Sequence, residues 1–308
     1  MNGPPALSRI VVAAAVASLF AGLAWADAAG FAGAAPAWWL LPVVLVIAIG
    51  GVDELVRLAS TRDLLLPAWL LRPAVVSIPF AAALGAQAFS TAGATTAPTA
   101  AQGWSAAAFT LSVLLFVAHE VQGYRPGGRS VERLAGATFI LAYLGLPLAF
   151  MVGLRLMCLE NLGPEQTGRG HLGIVPLVSL VAVVKAGDVA AYIVGTLVGR
   201  TRMAPVLSPG KTWEGAAASL GGSLAAAWLV LEGWDATQTG RPWGGWPAYG
   251  LAVGLTGMLG DLAESLLKRE AAAKDSGRSL GALGGVLDLV DSLLFAAPVA
   301  WLLWAAGR

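Results

Sequence analysis

The chain is a succession of long apolar runs separated by short polar interruptions. The runs come close to the ~20 residues that a helix needs to cross the hydrocarbon core of a bilayer. In order they cover residues 10–25, 37–49, 70–89, 104–118, 134–154, 172–199, 212–231, 246–267 and 288–304. Each is expected to be a helix, because a membrane-spanning segment must satisfy its own backbone polar groups. The expected fold is therefore all-α, a polytopic integral membrane protein with about nine transmembrane helices.

Three interruptions break the pattern. Segment 52–66 carries Asp53, Glu54, Arg57, Arg62 and Asp63 among leucines and valines. It reads as an interfacial amphipathic helix or as an ordinary polar loop. Lys185 and Asp188 stand inside the sixth run, where ionisable residues mark a site by default, although a pair at i, i+3 can also neutralise itself. The densest interruption is 260–292, GDLAESLLKREAAAKDSGRSLGALGGVLDLVDS. If 246–267 is one helix, Asp261, Glu264, Ser265 and Lys268 share a face, while Asp288 and Asp291 are i, i+3 at the start of the next. Two helices could thus aim three carboxylates at one point.

Composition agrees with the membrane reading: 57% of the 308 residues are hydrophobic, 12% are charged, and the mean hydropathy is +0.73. A net charge of +1 argues against a nucleic-acid surface and makes any important electrostatics local. The single cysteine, Cys158, excludes an internal disulfide and a CxxC metal pair, and reads as a small buried side chain. Arg9 and the run behind it are expected to form an uncleaved first helix, with a signal peptide cleaved near Ala24-Trp25-Ala26 as the alternative. With nine spans and the N-terminus inside, the cytoplasmic loops receive Arg9, Arg57, Arg62, Arg72, Arg125, Arg129, Arg133, Arg200, Arg202, Lys211, Lys268, Arg269, Lys274 and Arg278. The other side receives only Arg155, Arg169, Arg241 and Arg308, so the N-terminus is expected to be cytoplasmic. SPGKTWEG (208–215) and 260–292 then share the cytoplasmic face.

Two motif resemblances fail on spacing. His119-Glu120 lacks the second histidine of HExxH, since Gly123 stands there, and Gly210-Lys211-Thr212 lacks the first P-loop glycine, since Pro205 stands there. His119 and His171 read as interfacial or loop residues. Lys211 beside a helix N-terminus remains a reasonable phosphate holder, or else a snorkelling lysine. Clustered carboxylates without Cys or nearby His suit a hard, oxygen-liganded cation such as Mg²⁺, and the surrounding Lys211, Lys268, Arg269, Lys274 and Arg278 suit phosphates. Together they point to metal-assisted phosphoryl or nucleotidyl transfer at a membrane surface. An ion-coupled transporter using intramembrane Asp188, Asp261, Asp288 and Asp291 is the rival from another class, but it needs no basic glycine-rich cluster, and no inverted repeat is evident.

Ser265-Leu-Leu-Lys268-Arg269, then Lys274-Asp275-Ser-Gly277, then Gly281-Ala282-Leu283-Gly284-Gly285-Val-Leu-Asp288-Leu289-Val-Asp291, resembles the signature of the phosphatidate cytidylyltransferases, also called CDP-diglyceride synthetases. GDVAAY with Asp188 and Tyr192, Gly199-Arg200, SPGKTWEG and GDLAES also look like family segments, so the resemblance covers roughly 185–298. It implies an N-terminal transmembrane region, 1–171, and a C-terminal transmembrane catalytic region, 172–308. It also implies a transfer from CTP to phosphatidate that gives CDP-diacylglycerol and pyrophosphate with Mg²⁺, in phospholipid biosynthesis. Asp261, Asp288 and Asp291 would hold the metal, with Lys268 and Lys274 also catalytic. Asp188, Ser208, Lys211, Glu214, Arg269 and Asp275 would bind substrate. The implied setting is a bacterial inner (plasma) membrane with the site facing the cytoplasm; the partners are CTP, phosphatidate and the bilayer, with no nucleic acid, and a homodimer is left open. Gly281, Ala282, Leu283 and Leu289 replace the family's proline, glycine, histidine and arginine. A divergent relative that uses another lipid phosphate or nucleotide, or has lost turnover, is accordingly the runner-up.

Overall fold

The computed structural model describes residues 22, 25–26, 39–91, 97–157, 174–233, 240–273 and 285–307. Among the described residues it is all-α apart from one short β-hairpin. Among the described residues seven helices are long and apolar enough to cross a membrane, and the chain is a polytopic integral membrane protein. Nearly all of the expected first span, 10–25, lies outside the described residues, so a count of nine is not established. Contacts divide the chain into two interleaved units, one of residues 1–153 and 270–289, the other of 154–269 and 290–308.

The first unit opens with α1 (Leu41–Ser60), which joins two elements that the hydropathy pattern separates. The expected second span runs on into the first part of segment 52–66 as one helix that ends at Ser60, and Gly50-Gly51 does not break it. A Cβ on Gly51 would stand 3.0 Å from the Leu144 side chain, so this pair is a site of close packing inside a helix. α1 carries Asp53, Glu54 and Arg57 in its second half and is not among the seven candidate spans. It ends at a turn in which Asp63 takes φ +56°, a left-handed conformation that Asp tolerates better than most residues. α2 (Ala68–Thr91) and α3 (Ala97–Gln122) follow and pack against each other. Pro73 and Pro79 lie inside α2, as membrane helices allow when neighbours satisfy the freed carbonyls. α3 begins at Ala97, ahead of the apolar run expected from 104. α4 (Ser130–Ile140) runs through a π-helical turn, Leu141–Gly145, into α5 (Leu146–Leu156). His119 and Glu120 are structural: the His119 ring meets Trp69 edge-on, and Arg133 grips both Glu120 oxygens at 2.8 and 2.6 Å.

The second unit contains α6 (Val175–Val198), a hairpin of β1 (Arg202–Ala204) and β2 (Ser208–Thr212), α7 (Trp213–Gly233), α8 (Gly245–Glu270) and most of α9 (Leu287–Ala306). α6 is continuous through Lys185 and Asp188. Small residues let α6 and α7 approach closely, as is usual where lipid offers no hydrophobic drive for association. A Cβ on Gly187 would lie 2.6 Å from Ser223 Oγ, and one on Gly222 would lie 2.8 Å from Ala190 Cβ. The Ser223 hydroxyl also donates to the Val183 carbonyl across the pair at 3.1 Å. Ser179 ties three helices together deep in this unit, its Oγ lying 2.8 Å from the Tyr249 hydroxyl and accepting from Trp304 Nε1 at 3.2 Å.

Candidate functional site

α8 delivers the largest share of the site. Asp261 and Glu264 are three residues apart and share a face, as the helical period requires. Gly260 brings this face against α9: a Cβ there would stand 2.5 Å from the Asp291 carbonyl oxygen and 3.0 Å from Ser292 Cα. Only glycine permits that approach. The result is a group in which one oxygen from each of Asp261, Glu264 and Asp291 lies within 4.8 Å of the others, with Glu264 and Asp291 buried and Asp261 half-buried. The Asp291 carboxylate also accepts from the Ser292 backbone N–H at 2.6 Å.

Two lysines balance this charge. Lys211 Nζ lies 2.9 Å from Asp261 Oδ2, and Lys268 Nζ donates to Glu264 Oε2 at 2.7 Å. Lys211 reaches Asp261 from β2, immediately before α7, whose start is capped by Thr212 Oγ1 accepting the Gly215 N–H at 3.1 Å. Lys211, Asp261 and Asp188 line one cleft of about 250 Å³ together with Tyr192, Thr212 and Ser219. Lys185 donates to Asp188 at 3.1 Å, so this pair partly neutralises itself, and its carboxylate member stands at the cleft. The arrangement places negative oxygens beside positive nitrogens. Such a donor set, three carboxylates with no sulfur or imidazole, is of the kind that holds a hard divalent cation.

Other expected residues stand elsewhere. The Glu214 carboxylate accepts the backbone N–H groups of Arg200 and Thr201 at 3.2 Å, and Arg269 Nε donates to the Leu207 carbonyl at 3.1 Å, so both hold the hairpin. Ser208 opens β2, paired with Ala204. Neither Glu214, Arg269 nor Ser208 lines the cleft. Asp288 is not in the carboxylate group; its Oδ2 accepts the Gly285 N–H at 2.7 Å. Lys274 and Asp275 lie outside the described residues. Glu264 is the member of the group that sequence reasoning did not assign, although its i+3 spacing from Asp261 was a usable signal. The buried Glu54 gave no signal, because its partners are far away in the chain.

The chain matches the profile of the Cytidylyltransferase family over residues 7–306. It is 42% identical to the phosphatidate cytidylyltransferase of Brucella suis biovar 1 over 140 residues, which is 45% of this chain and 50% of that protein. The phosphatidate cytidylyltransferase of Synechocystis sp. is 39% identical over 136 residues, 42% of this chain and 43% of the relative. That of Chlamydia pneumoniae is 35% identical over 176 residues, 55% and 54% respectively. The chain thus spans about half the length of the curated relatives it matches. With a profile match running from the first residues to the last helix, this membrane protein belongs to the cytidylyltransferase family.

Proposed function

We propose that this protein transfers the cytidylyl group of CTP to phosphatidate, forming CDP-diacylglycerol and pyrophosphate at the cytoplasmic face of a bacterial inner membrane. The observation that carries the reading is the meeting of Asp261, Glu264 and Asp291 beside the Lys211–Asp188 cleft, within one helical unit of a family member. A phosphatidate oxygen attacks the α-phosphorus, the bond from that phosphorus to the bridging oxygen breaks, and pyrophosphate leaves. The attacking monoester is already largely dianionic at neutral pH, with a second pKa of about 6, so the chain need not supply a strong base. Catalysis then rests on holding two anions together in line. Asp261, Glu264 and Asp291 are suited to hold Mg²⁺, which when bound supplies charge neutralisation at phosphate oxygens. Lys211 and Lys268 bring ammonium groups to the same place. Lys274 and Asp275 are carried as further candidates on the signature alone.

The departures at Gly281, Ala282, Leu283 and Leu289 favour a second reading, in which another lipid phosphate or nucleotide is used. One assay separates the two. The purified full chain is given phosphatidate or an alternative lipid phosphate, each of the four NTPs, and Mg²⁺ or chelator. CDP-diacylglycerol with stoichiometric pyrophosphate is expected from CTP and phosphatidate. Turnover confined to another pair would install the second reading, and silence with every pair would sink the enzyme assignment.

A further inference from the structure

Glu54 is 3% exposed, far from the carboxylate group in sequence, and its carboxylate is spent on backbone. Oε1 accepts the Val286 N–H at 2.8 Å, and Oε2 accepts the Leu287 N–H at 2.9 Å. These donors open α9, where the first N–H groups of a helix have no partner within it. The preceding donor, Gly285 N–H, is taken by Asp288. A Cβ on Gly50 would stand 2.8 Å from Val286 Cγ2, so α1 lies directly against this turn. The same helix end also holds residues 270–271: the Thr61 hydroxyl donates to the Ala271 carbonyl at 3.2 Å, Arg62 Nε donates to the Glu270 carbonyl at 2.6 Å, and the Arg62 guanidinium pairs with the Glu270 carboxylate at 3.0 Å.

We propose that Glu54 is a positioning residue for the metal site: by gripping two consecutive N–H groups it fixes the first turn of the helix that carries Asp288 and Asp291. It acts through α9. A carboxylate is suited to the task because both oxygens accept, they match two neighbouring donors, and negative charge is favoured at a helix N-terminus. Glutamine keeps the shape but presents an NH₂ group to one of the two donors, so it unlatches half of the grip without leaving a void. The proposal rests on the functional reading only in taking the α9 carboxylate as part of a metal site.

The test uses the full chain in lipid nanodiscs, with Mn²⁺ binding followed by electron paramagnetic resonance in the absence of nucleotide, thermal unfolding, and CTP turnover measured alongside. Glu54→Gln is expected to stay folded and to bind Mn²⁺ on the order of 10- to 100-fold more weakly, as losses of outer supporting contacts generally do. Asp53→Asn, the exposed neighbour that pairs with Arg72, should bind as the parent does. Parental Mn²⁺ affinity in Glu54→Gln overturns the proposal, as does a parent that binds no Mn²⁺. Should Glu54→Gln fail to fold, amide hydrogen exchange of the parent decides: protected Val286 and Leu287 amides support the grip, and exchange at unstructured-chain rates refutes it. A parent inert with CTP and phosphatidate, yet weakened for Mn²⁺ by Glu54→Gln, would refute the functional reading while supporting the positioning role.

Discussion

A carboxylate inside a membrane helix persists where something compensates its charge, and the compensation here differs from residue to residue. Glu264, with a side chain only 2% exposed, is held by Lys268, and Asp261 by Lys211, whereas Asp291 leans on the Ser292 backbone N–H. Asp288 has another task, accepting the Gly285 N–H at the helix entrance. An asparagine at 288 can still accept that bond through its amide oxygen, but an asparagine at 291 removes a charge from the three-carboxylate group. Asp291→Asn is therefore expected to lower Mg²⁺-dependent turnover by on the order of 100-fold or more, and Asp288→Asn by about tenfold or less, taking a lost charged contact as roughly 1.5–3 kcal/mol. Glu264→Gln should resemble Asp291→Asn. Initial rates across a Mg²⁺ titration decide the matter, and equal losses at 288 and 291 would return Asp288 to the metal.

At the scale of elements, the site depends on how closely two helices can run. Gly260 is the contact that sets the distance between α8 and α9, since a methyl group there would stand 2.5 Å from a backbone oxygen that cannot rotate away. Gly260→Ala should cost about 1–3 kcal/mol of stability through overpacking and should weaken metal binding with it. Gly221→Ala is the matched control, because a Cβ on Gly221 meets nothing within 4 Å and alanine is the better helix former by up to about 1 kcal/mol. Thermal unfolding of both variants in one detergent reads the difference. Equal melting temperatures would mean that the helices part without cost. The hairpin is the other element that matters, because it delivers Lys211 to Asp261 while Glu214 and Arg269 hold its backbone.

For the whole molecule, the orientation argued from the basic residues makes a direct prediction. On a Cys158→Ser background, a membrane-impermeant thiol reagent added from outside should modify Thr237→Cys and spare Ser276→Cys. Modification of Ser276→Cys from outside, or protection of both, would mean that a span has been miscounted. α1 merges one expected span with charged residues and falls outside the seven candidates. The merger has a physical cause. Gly50-Gly51 looks like a breaker in isolation, yet in the fold both glycines lie against side chains of other segments, and packing there favours a continuous helix.

Hydropathy by itself determined the class and most helices of this protein, because a bilayer leaves a spanning chain few alternatives to the helix and sets its length. Spacing likewise determined that Asp261 and Glu264 share a face, since i and i+3 lie together on any helix. The signature segments made the family legible from roughly a third of the chain. Tertiary structure decided what no local pattern encodes: that Asp291 joins those two residues while Asp288 turns to backbone, that Glu214 and Arg269 secure a hairpin, and that Glu54 reaches residues more than two hundred positions away. The reason lies in what each signal measures. Periodicity reports which side of one helix a residue faces, whereas the partner it meets depends on close approaches such as that at Gly260, which only the packed helices define.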